Sequence, residues 1–132
     1  SESEDSPYKV AAAWDGVVND GAGFVALPMS LLRLQGNLAI TPTEFGVLTN
    51  LLAHRWKAGD VVFPRASIIA KRMGVTVRTV QRATLGLTKK GIIRKAKTTN
   101  GMRGYDAQPL VDKLVAMSPA ANSSRLNEKV GA

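Results

Sequence analysis

The spacing of apolar positions along this chain changes several times, and each change outlines an element. Phe24-Val25-Ala26-Leu27 is a short apolar run closed by Pro28, which predicts an edge strand. Ser30-Leu31-Leu32-Arg33-Leu34 predicts a short helix, broken by Gly36 and Asn37. Phe45, Leu48 and Leu52, widened by Leu51, then recur at helical spacing and run on through His54 to Trp56 until Gly59 stops them. The start of that helix is strongly marked. Thr41 suits the N-cap, Pro42 the first helical position, and Glu44 stands three residues after Thr41. The Thr41 hydroxyl can accept from the Glu44 amide while the carboxylate reaches back, a cap worth about 1 kcal/mol. Val61-Val62-Phe63 predicts a short strand, and Pro64 both closes it and opens the next helix.

From Ala66 to about Lys90 the pattern is that of two helices crossing through a tight turn. Ala70 is small enough for close approach, and Gly74, four residues on, can take the left-handed conformation that ends the first helix. Val80, six residues further, fills the angle between the two. Ile69 and Met73 face the core, Val75 packs inward, and Thr76 caps the second helix. Val80, Ala83 or Thr84, and Leu87 form its buried side, while Arg78, Arg82, Leu85 and Lys89 share the opposite face. Gly86 costs roughly 1 kcal/mol against alanine inside a helix, and marks either an early fray or a close helix contact. Gly91 ends the element.

Ile92-Ile93-Arg94-Lys95-Ala96-Lys97 reads as a strand, and Asn100-Gly101 as a hairpin turn. Met102 to Gln108 is the return strand, with Tyr105 opposite Ala96 if the turn has two residues. After Pro109, Leu110, Val111, Leu114, Val115 and Met117 outline a last short helix, which either pairs two subunits or closes the core. The fold class that emerges is mainly α with a small β-hairpin, a winged helix-turn-helix over residues 24–117. A flexible acidic arm over 1–23 and a flexible tail over 118–132 flank it.

Charge gives this pattern its direction. The chain of 132 residues has a formal net charge of +8, and 45% of it is apolar, a globular composition. Residues 61–105 contain no Asp or Glu, yet hold eleven of the eighteen basic residues. Solvated faces normally mix both signs. An uninterrupted basic run favours a polyanion, and nucleic acid fits better than a membrane surface, because no basic helix has a deeply apolar opposite face. Cysteine is absent and His54 is the single histidine, so no metal site, thiol nucleophile or catalytic constellation is assembled. The chain is not expected to be an enzyme, and no cofactor or small-molecule ligand is evident. Gly86-Leu87-Thr88-Lys89-Lys90-Gly91 lacks the Lys-Ser/Thr of a phosphate loop. Trp14 and Trp56 are expected to pack rather than to stack on bases. The lack of any membrane span and the acidic start Ser1-Glu2-Ser3-Glu4-Asp5 lead to a cytoplasmic expectation, associated with nucleoid or plasmid DNA.

Leu38-Ala39-Ile40-Thr41-Pro42-Thr43-Glu44, Phe63-Pro64, Ile69-Ala70-Lys71-Arg72-Met73-Gly74-Val75, Thr79-Val80-Gln81-Arg82-Ala83 and Gly91-Ile92-Ile93 together resemble the winged helix-turn-helix domains of bacterial, plasmid and phage DNA-binding proteins. That group includes transcription regulators and replication or maintenance proteins. Arg65, where many relatives carry a capping serine, and Leu85-Gly86, where charged residues are more usual, depart from its pattern. The resemblance implies that the second helix of the motif, about residues 76–90, enters the major groove of duplex DNA. Thr76, Val77, Arg78, Thr79, Gln81 and Arg82 are then the candidates for base contact, with Val77 and Thr79 equally suited to packing or capping. Arg65, Lys71, Arg72 and Lys89 would hold phosphates. Lys95, Lys97, Asn100 and Arg103 would serve a basic wing, about 92–108, against backbone or minor groove. The expected role is transcription regulation. Plasmid or phage replication initiation or partition is the alternative, and a protein-interaction module is the alternative from another class. Either a homodimer or an array on repeated sites would suit such a domain.

Overall fold

The computed structural model describes residues 12–19, 23–55, 58–63 and 65–117. Most of the expected arm and all of the expected tail, together with Trp56 and Pro64, lie outside them. A 3-10 turn at Val17–Asn19 precedes five helices and three strands: α1 (Met29–Leu34), α2 (Pro42–Leu52), β1 (Val61–Val62), α3 (Ala66–Met73), α4 (Val77–Lys89), β2 (Arg94–Lys97), β3 (Arg103–Asp106) and α5 (Gln108–Ala116). The strands form an antiparallel sheet in the order β1-β3-β2. This is a winged helix-turn-helix fold, with β2 and β3 as the wing.

The helices are held by one apolar core. Leu31 and Leu34 of α1, Val47, Leu48 and Leu51 of α2, and Val80 and Leu87 of α4 are all buried in it. Ile92 and Ile93 enter the same core before β2 begins, and Leu110 and Leu114 of α5 close it. Of the two roles open to the last helix, core closure is therefore one it performs. Each fully buried aliphatic side chain contributes about 1.5–3 kcal/mol, so the packing of the elements follows from which apolar faces can be covered together.

Three helical segments end in the same way. Val75 N–H donates to the Ala70 carbonyl and Gly74 N–H to that of Lys71, which is the double closure of a Schellman motif with Gly74 left-handed at φ 69°. Ile92 and Gly91 repeat it on the Leu87 and Thr88 carbonyls, with Gly91 at φ 70°. Ile40 and Ala39 repeat it on Gln35 and Gly36, but here an alanine holds the left-handed position at φ 58°. Each motif turns an apolar residue, Val75, Ile92 or Ile40, back onto the core.

The structure corrects several expectations, among them Trp14, which is 65% exposed rather than packed. Residues 24–27 are not a strand: they run without sheet pairing, and Phe24 and Val25 are exposed. A short apolar run has no strand identity until an edge lies beside it. Helix α2 stops at Leu52 rather than near Gly59, because His54 N–H and Arg55 N–H turn to the i−3 carbonyls of Leu51 and Leu52. The wing loop has three residues, not two. Thr98 N–H donates to the Met102 carbonyl and Gly101, at φ 81°, takes the left-handed third position, so Lys95 faces Tyr105 and Ala96 faces Gly104. The last helix begins at Gln108, before Pro109, because the Asp106 carboxylate accepts from the Gln108 N–H at 2.8 Å.

Candidate nucleic-acid interface

Helix α4 is positioned by its own sequence at both ends and along one side. Thr76 caps it, accepting from the Thr79 N–H at 3.2 Å, and the two threonine hydroxyls lie 3.0 Å apart. Both Ala83 and Thr84 join Val80 and Leu87 on the buried side, with the Thr84 hydroxyl returned to the Val80 carbonyl at 2.9 Å. The far side is polar and open. Arg78, Gln81, Arg82, Leu85 and Lys89 are all exposed, and the first four line a shallow surface groove of about 470 Å³. Val77 begins the helix and is 41% exposed. Thr76 is exposed and Thr79 half-buried, and both spend a hydroxyl on the cap. A capped N-terminus and a basic outer face are therefore presented on one rigid element.

The docking of α4 on α2 depends on contacts that sequence reasoning missed. Lys90 donates to the Glu44 carboxylate at 2.5 Å and to the Ala39 carbonyl at 2.6 Å. Glu44 is buried and completes the capping box, with its Oε1 accepting from the Thr41 N–H at 2.9 Å and Thr41 Oγ1 accepting from the Glu44 N–H at 3.1 Å. Burial pushes the Glu44 carboxyl up. The Lys90 ammonium and the Thr41 hydrogen bonds outweigh that and leave it below the usual carboxylate range. Gly86 marks a close helix contact and not a fray, because a Cβ there would collide with the Glu44 carboxylate. The box at Thr41 and Glu44 was visible in the sequence. Lys90, 46 residues away, carried no signal at all.

The wing is clamped at its root. Arg94 and Asp106 are register partners, and the guanidinium donates to Asp106 Oδ2 at 2.8 and 3.2 Å. Burial raises the Asp106 carboxyl, and the Gln108 amide and Arg94 more than offset it, so it too lies below its usual range. Beyond the clamp, Lys95 and Lys97 of β2 sit opposite Tyr105 and Arg103 of β3, which puts all four on one face. Asn100 is exposed in the loop at the tip. Gly104 is buried, and a Cβ on it would press on the Val62 carbonyl at 2.5 Å and on Phe63 at 2.9 Å. Phe63, Tyr105 and the basic residues of the wing line a groove of about 630 Å³.

Ion pairs thus hold Lys90 and Arg94, whereas Arg65, Lys71, Arg78, Arg82, Lys89, Lys95, Lys97 and Arg103 extend into solvent. Arg72 is exposed and donates to the Asn50 side chain at 3.2 Å, linking α3 to α2. Arg65 occupies the cap position of α3 without a side-chain cap bond. The fold brings Arg78, Gln81 and Arg82 together on α4, gathers Lys95, Lys97 and Arg103 on the wing, and leaves Lys71 and Arg72 at the end of α3. Among the described residues no group of His, Asp and Glu forms a metal site, and no helix is long and apolar enough to cross a membrane.

These features define a class. Residues 38–93 match the family model described as a helix-turn-helix domain, and with the β2–β3 hairpin the chain carries a winged helix-turn-helix domain. Such a domain implies DNA as its partner. Among solved structures the fold is similar to the crystal structure of the N-terminal domain of DnaD protein from Geobacillus kaustophilus HTA426. That likeness has a TM-score of 0.60 and 24% identity, and covers 89% of this chain and 94% of that one. No curated protein sequence matches significantly.

Proposed function

We propose that this chain binds duplex DNA in a sequence-specific way, with α4 in the major groove and the β2–β3 wing against the backbone or minor groove, and that it acts as a transcription regulator. The observation that carries this reading is the joint exposure of Arg78, Gln81, Arg82 and Lys89 on one face of a helix whose other face is locked into the core. Arg78 and Arg82 have the bidentate geometry for guanine and Gln81 for adenine. Lys71, Arg72, Arg65 and Lys89 neutralise phosphates, and Lys95, Lys97, Asn100 and Arg103 extend the contact along the wing. The chain performs no catalysis in this reading and needs no cofactor. A role in replication initiation or partition is the second reading, since the same exposed basic face would serve equally at an origin. The two share one interface and differ in where the bound site lies.

Selection of bound fragments from random and genomic duplex pools tests the proposal. An enriched sequence is expected, lying at promoters for the first reading and at an origin for the second. Its symmetry reports whether the chain binds as a dimer or in an array. Arg82→Ala is expected to weaken binding to that sequence by about 1–3 kcal/mol and to relax preference at one base. Equal losses on the selected and on random duplexes would remove Arg82 from base reading.

A further inference from the structure

Leu85 is 52% exposed on the outward face of α4, among Arg78, Gln81, Arg82 and Lys89. At 100° per residue it lies about 140° round the helix from Val80 and about 160° from Leu87, so it is not the margin of the buried stripe. The core has no use for it there, and water is a poor environment for it. It lines the surface groove formed with Arg78, Gln81 and Arg82. Along the axis it stands roughly 10 Å from Arg78 at 1.5 Å per residue, which is within the width of about 12 Å of a major groove. An element that meets base edges at Arg78 and Gln81 therefore carries Leu85 into the same groove.

Resting on the duplex-binding reading, we infer that Leu85 is a specificity-determining residue that reads the C5-methyl group of a thymine. The thymine methyl is the one apolar group that a base pair displays in the major groove. An apolar side chain between guanidinium groups desolvates it without competing for hydrogen bonds. The neighbouring cations hold the phosphates and the purine edges, and Leu85 adds a requirement for an adjacent A·T pair in one orientation. It also disfavours cytosine at that place, whose edge presents an amino group and no methyl.

The test begins with the duplex selected by the wild-type chain. Each thymine in turn is replaced by deoxyuridine, which removes only the methyl group. At one thymine the wild-type affinity is expected to fall roughly fourfold, the loss for one buried methyl group. The Leu85→Ala variant, at an exposed position that leaves the core intact, is expected to bind the thymine and uracil duplexes alike, and Leu85→Met to retain the difference. Circular dichroism of both variants checks that α4 is formed. A selected duplex whose uracil substitutions affect wild type and Leu85→Ala equally, or affect neither, overturns the assignment of Leu85 alone. Failure to enrich any sequence overturns the specific-binding reading and this inference with it.

Discussion

Alanine in place of a helix-interior glycine ordinarily stabilises a protein by about 1 kcal/mol. At Gly86 the opposite is expected. The new Cβ occupies the place of the Glu44 carboxylate, which is buried and bonded to Thr41 and Lys90. Moving it aside gives up the returning arm of the capping box, about 0.5–1 kcal/mol, and a charge-assisted bond to Lys90. That bond is worth about 1.5 kcal/mol, the low end of its range, because the Lys90 side chain is 31% exposed and partly screened. Set against the gain in helix propensity, Gly86→Ala is expected to destabilise the fold by about 1 kcal/mol. Urea unfolding followed by circular dichroism measures this directly, and the thermal midpoint should fall by about 4–8 °C per kcal/mol for a domain of this size. The decisive comparison is made in a Glu44→Ala background, where the obstruction is gone and the same glycine change should stabilise by about 1 kcal/mol. That reversal of sign amounts to a coupling of about 2 kcal/mol. An equal effect of Gly86→Ala in both backgrounds would refute the reasoning.

Ala39→Gly relieves a left-handed alanine at φ 58° and is expected to stabilise by about 0.5–1 kcal/mol, after the extra unfolded-state entropy of glycine is subtracted. A lower denaturation midpoint would contradict this. Gly101→Ala meets no neighbouring atom, so its cost is backbone strain alone at φ 81°, about 1 kcal/mol. Gly101→Asn should lose less, and faster amide exchange in β2 and β3 should report the first change. Glu44 and Asp106 both titrate below their usual 4.5 and 3.8. The unfolded chain therefore takes up protons before the folded one does, and stability is complete above about pH 5 and declines as pH falls through the lowered values. Lys90→Met and Arg94→Met should each flatten that decline in unfolding midpoints measured from pH 6 to 3, and an unchanged slope in both would rule out these two carboxylates as its source.

The five helices, the Thr41 capping box, the left-handed turn at Gly74 and the outward face of α4 were legible in the sequence. All of them are relations between residues no more than about four to seven positions apart, and a helix converts such spacing into a face or a cap. The basic interval was legible for the same reason, since charge needs no partner to be counted. What the tertiary structure decided involves distant or competing neighbours. The apolar run at 24–27 found no strand to pair with. The wing closed through three loop residues, and that single step of register moved Tyr105 from Ala96 to Lys95 and reassigned every side chain to a face. Of eleven adjacent cations, the fold tied Lys90 to Glu44 and Arg94 to Asp106 and left those on α4 and the wing tip to solvent. Sequence alone determined that a helix-turn-helix would form and that it would be basic. Only packing could choose which charges the fold consumes, because an ion pair depends on where two chain segments meet in space.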